Sequence, residues 1–304
     1  EHPTDNFRLK NAMSDLSKVR EASHAGSWYS ANASELDSQL EGWLQKAGPK
    51  SNSVRAIISP HAGYSYCGAT AAFAHKNIDK SKVKRVFILG PSHHVYSPKC
   101  SLSMMSEYQT PLGNMTLDKE VIEELHATGK FEYMRKSIDE DEHSIEMQLP
   151  YVAKLMEGVN YTVVPIMVGS TKPKAEDDYG AILAKYLQNE ENFFVISSDF
   201  CHWGKRFDYY YLPGSSDPIH KGIEELDRAG MDAIETQDPD KFYHYLDKTD
   251  NTICGRHPIG ILLQAMKHSG LNFETKFVAY AQSNKCSSKK DSSVSYAAGV
   301  VVQQ

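Results

Sequence analysis

The sequence predicts a single α/β domain whose central sheet is largely parallel and flanked by helices. Three observations predict it. Short apolar, β-branched runs without polar alternation recur along the chain, as strands buried on both faces do. Stretches with apolar residues at helical spacing lie between those runs, and strands alternating with helices favour parallel pairing. A length of 304 residues, 40% hydrophobic and 24% charged, suffices for one large core.

Residues 1–19 are polar and aperiodic and are expected to be a flexible N-terminal extension, with Met13 a candidate internal start. Residues 20–304 form the domain. Leu36, Leu40, Trp43 and Leu44 mark one face of a first helix. Val54–Ser59 reads as the first buried strand, followed by an Ala-rich helix over Gly68–His75. Arg85–Leu89 is the next strand. In "HSIEMQLPYVAKLM", Ile145, Leu149, Val152 and Leu155 recur at helical spacing, and Pro150 is expected to bend or interrupt the turn. Tyr161–Val168 and Phe193–Ser197 are further strands, with Leu183 and Leu187 marking a helix between them. Ile223–Ile234 and Ile259–Met266 read as helices, and Lys276–Tyr280 and Val294–Val302 as strands nearer an edge.

Several function classes are disfavoured. A net charge of −6 with no basic blocks argues against nucleic acid as a partner. No run approaches the roughly 18 apolar residues of a membrane span, so no membrane insertion is expected. The five cysteines are odd in number and no signal-peptide pattern opens the chain. A reducing, cytoplasmic location is therefore expected, without a disulfide framework.

In such sheets ligands bind beyond the carboxyl ends of the strands. After Val54–Ser59 comes "PHAGYSYCG" with His61. After Arg85–Leu89 comes "GPSHHVY" with His93 and His94. After Phe193–Ser197 comes "SDFCHWG" with Asp199, Cys201 and His202. Three strands thus deliver imidazole to one edge, and neutral imidazole is a common ligand for zinc, copper and iron. Gly63, Gly90 and Gly204 permit tight turns or close backbone approach there.

A softer donor lies in "TICGRHPIGILLQAMKH". Cys254 precedes a helix whose first turn holds Pro258, and the helix N-terminus with Arg256 and His257 is expected to favour its thiolate. In "DEDEHSIEMQLPY" the acidic residues 139–142 read as a solvated helix start, with His143 and Glu146 facing the same end. Cys67 and Cys201 read as core fillers, and His75, His126, His244 and His268 as ordinary helix residues.

The segments "REASHAGSWY", "PHAGYSYCG", "FILGPSHH", "DEDEHSIEMQLPY", "SSDFCHWG", "NTICGRHPIG" and "DSSVSYAAG" resemble the Memo family in collinear order, from Arg20 to the C-terminus. The resemblance implies a fold similar to the class III extradiol dioxygenases, which use non-haem iron. It implies that His61, His93 and Cys254 are metal ligands for copper or iron, and that Asp199 and His202 are the remaining polar, acid/base groups of the same pocket. Spacing alone leaves His93 and His94 equivalent, and the resemblance favours His93. The dioxygenases hold iron with two histidines and a carboxylate. Here Cys254 stands in the carboxylate's place, a softer set that weakens the case for ring cleavage.

The family also implies a role in receptor tyrosine kinase signalling, cell motility and reactive-oxygen or metal homeostasis. Three functions are expected in descending order. The first is a metal-binding redox protein. The second is a phosphotyrosine-peptide binding module using the same pocket, with receptor or adaptor phosphopeptides as partners. The third is a dioxygenase-like enzyme of unknown small-molecule substrate.

Overall fold

The computed structural model describes residues 18–214 and 217–304. The expected N-terminal extension therefore lies, up to residue 17, outside the described residues. Val19 and Arg20 already belong to the fold, pairing with Glu107 and Tyr108.

The chain begins with β1 (Val19–Arg20), α1 (Ala33–Ala47), β2 (Val54–Ser59), α2 (Tyr64–His75) and β3 (Arg85–Pro91). Next come β4 (Cys100–Ser103), β5 (Glu107–Tyr108), β6 (Met115–Thr116), α3 (Lys119–Ala127), β7 (Phe131–Met134) and α4 (Lys136–Asp141). A 3-10 turn over Glu146–Gln148 leads into α5 (Leu149–Leu155), β8 (Thr162–Val168), α6 (Pro173–Leu187), β9 (Asn192–Ser197) and β10 (His202–Gly204). The last elements are α7 (Ile219–Glu235), α8 (Pro239–Thr249), α9 (Arg256–Ser269), β11 (Phe273–Gln282) and β12 (Ser292–Gln303).

Among the described residues the main sheet has nine strands in the order β10-β12-β2-β9-β3-β8-β4-β7, with β11 on the other side of β12. The central strands β2, β9, β3 and β8 pair in parallel. Every residue of β2 and β9 is buried, which is why these strands carry unbroken apolar runs. The flanks turn antiparallel, at β12 against β2 and at β4 against β8. β12 is long enough to pair β10 near its start and β2 near its end. α2 packs on β2 and β12, and α9 packs on β3, β9 and α6.

The strand order positions the site. β9 inserts between β2 and β3, although β3 and β8 come before it in the chain. Connections therefore diverge around β9, and a crevice opens at the carboxyl ends. Ser59 of β2 is level with Ser197 of β9, and Leu89 of β3 with Ile196. The residues just beyond these strands share one edge.

The structure differs from the sequence reading in places. α2 starts at Tyr64 rather than Gly68. Pro150 lies in the first turn of α5, where its missing N–H costs nothing, so it opens that helix instead of bending it. The acidic run 139–142 does not start a helix: α4 ends at Asp141. Gly90 is required by close approach. A Cβ there would lie 2.4 Å from Ser144 Oγ and 2.9 Å from Ile145 Cγ1. Gly90→Ala is expected to cost about 1–3 kcal/mol, seen as a lower urea midpoint at unchanged slope. An unchanged midpoint would mean that the Ser144 segment yields without cost.

Candidate metal centre

His61 leaves the end of β2 fully enclosed. Its main-chain N–H donates to Asp199 Oδ1 at 2.8 Å, and its ring Nδ1 lies 2.8 Å from Ser197 Oγ. Its Nε2 is 3.2 Å from Cys254 Sγ. His93 lies just beyond β3 and is held by one carboxylate. Its N–H donates to Glu142 Oε2 at 2.6 Å, and its Nδ1 lies 2.7 Å from Glu142 Oε1. The His61 and His93 rings meet edge to face with centroids 5.2 Å apart. One donor atom each from His61, His93 and Cys254 lie within 4.8 Å of one another.

The donors fit an ion. A tetrahedral centre with bonds of about 2.0–2.3 Å needs donors about 3.3–3.8 Å apart. The His61–Cys254 pair is already at 3.2 Å. The His93 side chain is 28% exposed, which leaves it room for the small rotation that closes the set. A second group, His93, Glu142 and His143, also lies within 4.8 Å. It is a poorer ligand set, because Glu142 already accepts from the His93 ring and amide and from the Ser144 N–H.

His143 stacks between two rings, 4.4 Å from His93 and 4.3 Å from Trp28. Burial, with His61 and His93 close by, pushes its pKa down to about 3, so the ring is neutral. Asp199 is buried and its carboxyl is pushed up by that burial, while the His202 ring pulls the other way. His202 Nδ1 lies 2.9 Å from Phe200 O and 3.0 Å from Thr252 O. Those carbonyls require the proton on Nδ1 and leave Nε2 as the accepting nitrogen. His61, His93, Asp199 and His202 line a cavity of about 580 Å³, with Trp28 and Arg206 also on its walls. Cys254 borders a separate cavity of about 260 Å³ beside Arg256 and His257. His94 is exposed and touches the cluster only through an edge contact with His143 at 6.2 Å.

Two expectations need correcting. The acidic cluster is solvated only at Glu140 and Asp141. Asp139, Glu142 and Glu146 are buried because each is matched to specific donors. Arg20 pairs with Asp139 at 3.0 Å and with Glu146 at 2.7 Å, and donates to the Glu142 carbonyl. Glu146 also accepts from Tyr29 OH and the His24 N–H, and its Oε2 lies 2.8 Å from His24 Nδ1. The Cys254 thiol is likewise not lowered. Burial pushes it up, and the nearby Asp199 carboxyl adds to that. Arg256 does not help, since its guanidinium is turned to the carbonyls of Asn251 and Ile253. His257 faces Glu176 at 3.0 Å. The Asp199 N–H, 3.3 Å from the sulfur, is one donor that serves a thiolate here, with Ser198 and the Gly255 backbone acting in the same direction.

Burial works against the Glu142 carboxylate, yet hydrogen bonds from His93 and Ser144 hold its pKa at about 2, below 4.5. A depressed carboxylate adds stability above its unfolded pKa and loses it as pH falls towards the folded one. The metal-free protein is therefore expected to lose stability between pH 4.5 and about 2, with a shallower loss in Glu142→Gln. Urea unfolding across that range measures both slopes, and parallel slopes would remove Glu142 as a cause.

The geometry can be set beside known proteins. A family model described as "Memo-like protein" matches residues 20–300. The chain belongs to the Memo family. "Protein MEMO1" of Xenopus laevis is 54% identical over 295 residues, covering 95% of this chain and 99% of that protein. The human "Protein MEMO1" is 51% identical over 294 residues, with the same coverage of 95% and 99%. The "Protein memo-1 homolog" of Caenorhabditis elegans is 53% identical over 288 residues, covering 93% of this chain and 82% of that protein. The crystal structure of an uncharacterized Escherichia coli K12 protein, JW3007, aligns with a TM-score of 0.51 at 13% identity. It covers 80% of this chain and 99% of its own. That likeness concerns the fold alone. No described helix of this Memo chain is long and apolar enough to cross a membrane, and all five cysteines are free thiols.

Proposed function

We propose that this Memo-family protein holds a redox-active ion, copper or iron, on His61, His93 and Cys254. It would act in the cytoplasm, in receptor tyrosine kinase signalling, cell motility and reactive-oxygen or metal homeostasis. The observation that carries the reading is the approach of two imidazoles and a thiol to within 4.8 Å from three distant segments. Two nitrogens and a soft sulfur suit Cu(I) well and would hold iron with altered tuning.

The bound ion would supply one-electron chemistry. The chain's own residues do the rest. Glu142 holds the His93 ring at Nδ1, which leaves Nε2 as the nitrogen available to an ion. The Asp199 backbone serves the sulfur and its carboxylate anchors the His61 main chain. His202, with its proton on Nδ1, offers Nε2 as the proton acceptor on the cavity wall. Trp28 and His143 narrow the cavity and limit water near the donors.

The test is anaerobic titration of chelator-stripped protein with Cu(I) and with Fe(II). One equivalent bound tightly supports the reading, and binding no stronger than to an unrelated His-rich protein ends it. A phosphotyrosine-peptide module is the second reading, favoured by Arg206 and Trp28 on the cavity wall. It relies on Arg206 and not on Arg256, which is committed to backbone carbonyls. Equal affinity for phosphorylated and unphosphorylated receptor peptides would count against it. A dioxygenase with a small substrate ranks third, since the proposed set lacks a carboxylate.

A further inference from the structure

Behind His61 runs a buried chain of side chains that the proposed centre does not itself use. Ser197, Gln148 and His75 are all 0% exposed. Gln148 Nε2 lies 2.8 Å from Ser197 Oγ and 3.0 Å from Pro60 O. Its Oε1 lies 2.7 Å from His75 Nε2. Ser197 Oγ is 2.7 Å from Ser144 O and 2.8 Å from His61 Nδ1.

Counting protons settles who donates. Pro60 offers only a carbonyl, so the Gln148 amide must point its NH₂ towards Pro60 and Ser197. Its oxygen then faces His75, whose Nε2 must carry the proton. This agrees with His75 Nδ1, which is buried without a partner and so is the bare nitrogen. The hydroxyl of Ser197 has one proton, and the Ser144 carbonyl can only accept it. Ser197 Oγ therefore accepts twice, once from Gln148 and once from His61.

The geometry points to Ser197 and Gln148 as positioning residues that fix His61 as its Nδ1–H tautomer and so present the bare Nε2 to Cys254 and His93. An imidazole in water prefers its proton on Nε2, so the chain reverses the ordinary choice. The inference rests on the ligand set proposed above for its use, but not for its detection. A metal-binding histidine commonly has its second nitrogen bonded in this way, and losing such a partner typically costs 10–100-fold in affinity. Here the partner is a hydroxyl oriented by an amide two shells into the core, not a carboxylate.

The experiment uses full-length, metal-free protein with ¹⁵N-labelled histidine. Long-range ¹H–¹⁵N spectra at neutral pH report the tautomer, and thermal unfolding reports the fold. Wild-type His61 is expected to carry its proton on Nδ1. Ser197→Ala should return it to Nε2 and lower Cu(I) affinity about 10–100-fold. Gln148→Met keeps the volume and removes only the amide, and should give a mixture of tautomers. A wild-type His61 protonated on Nε2 overturns the proposal, as does an unchanged tautomer in both folded variants. If the tautomer shifts as expected but the wild type binds no Cu(I), the positioning role stands and the metal reading falls.

Discussion

Cys254→Ser is expected to abolish tight Cu(I) binding, with a loss on the order of 100-fold or more, beyond what outer partners cost. The substitution changes one atom and leaves the shape of the site. A neutral hydroxyl is a hard donor, whereas Cu(I) prefers thiolate. His93→Ala should cause a comparable loss by removing the second imidazole. Fe(II) affinity should fall less in Cys254→Ser, because iron accepts oxygen donors more readily. The pair of variants thus separates the metals as well as testing the site. Competition against a chelator of known affinity measures both. Equal Cu(I) affinity in wild type and Cys254→Ser would remove the sulfur from the ligand set and with it the copper preference.

Arg20→Met is expected to destabilise the protein by about 3–5 kcal/mol, the range for removing one partner of a buried ion pair. Arg20 is 1% exposed and its guanidinium meets Asp139 and Glu146, which are 3% and 0% exposed. Without it two carboxylates remain in the core with fewer donors. Tyr108 and Ser103 still bind Asp139, and Tyr29 and His24 still bind Glu146, so the loss is large without being total. The Arg20→Met, Glu146→Gln double variant should recover part of it, since one of the two unpaired charges is gone. Urea unfolding measures the cycle, and a loss under about 1 kcal/mol would show that the carboxylates simply take up protons. Because Arg20 also binds the Glu142 carbonyl, the variant should loosen His93.

The parts of the fold legible in the sequence are those with the strongest period. β2, β3, β8 and β9 announce themselves because both faces are covered and nearly every position is apolar. β4 and β7 do not, since "CSLS" and "FEYM" are short and mix polar residues into the outer sheet. α8 is missed although Phe242, Tyr245, Leu246 and Thr249 are buried at helical spacing, because only one aliphatic residue stands among the polar and aromatic ones of Pro239–Thr249. At the site, the residues immediately beyond the central strands include His61, His93, Asp199 and His202, and they are legible because the sheet fixes where each strand ends. Asp139 and Glu142 are misread for one reason. A charged residue reads as solvated unless its partner is known, and Arg20 is 119 residues from Asp139. Ser197 and Gln148 carry no signal at all, because a hydroxyl and an amide look the same in a loop as in a buried proton chain.

His61 and Cys254 are 193 residues apart, and β9 must slot between β2 and β3 before the sulfur can meet the ring. The histidines leave the ribosome long before the cysteine does. No partial chain that stops short of Cys254 can assemble the three donors. The centre therefore assembles only after β9 has entered the sheet, and any ion that it takes up reports that the ends of β2 and β3 and the segment before α9 have come together. Such an ion would clamp the end of the first central strand to the segment that enters the last helix, stabilising the native state by mass action and slowing its opening.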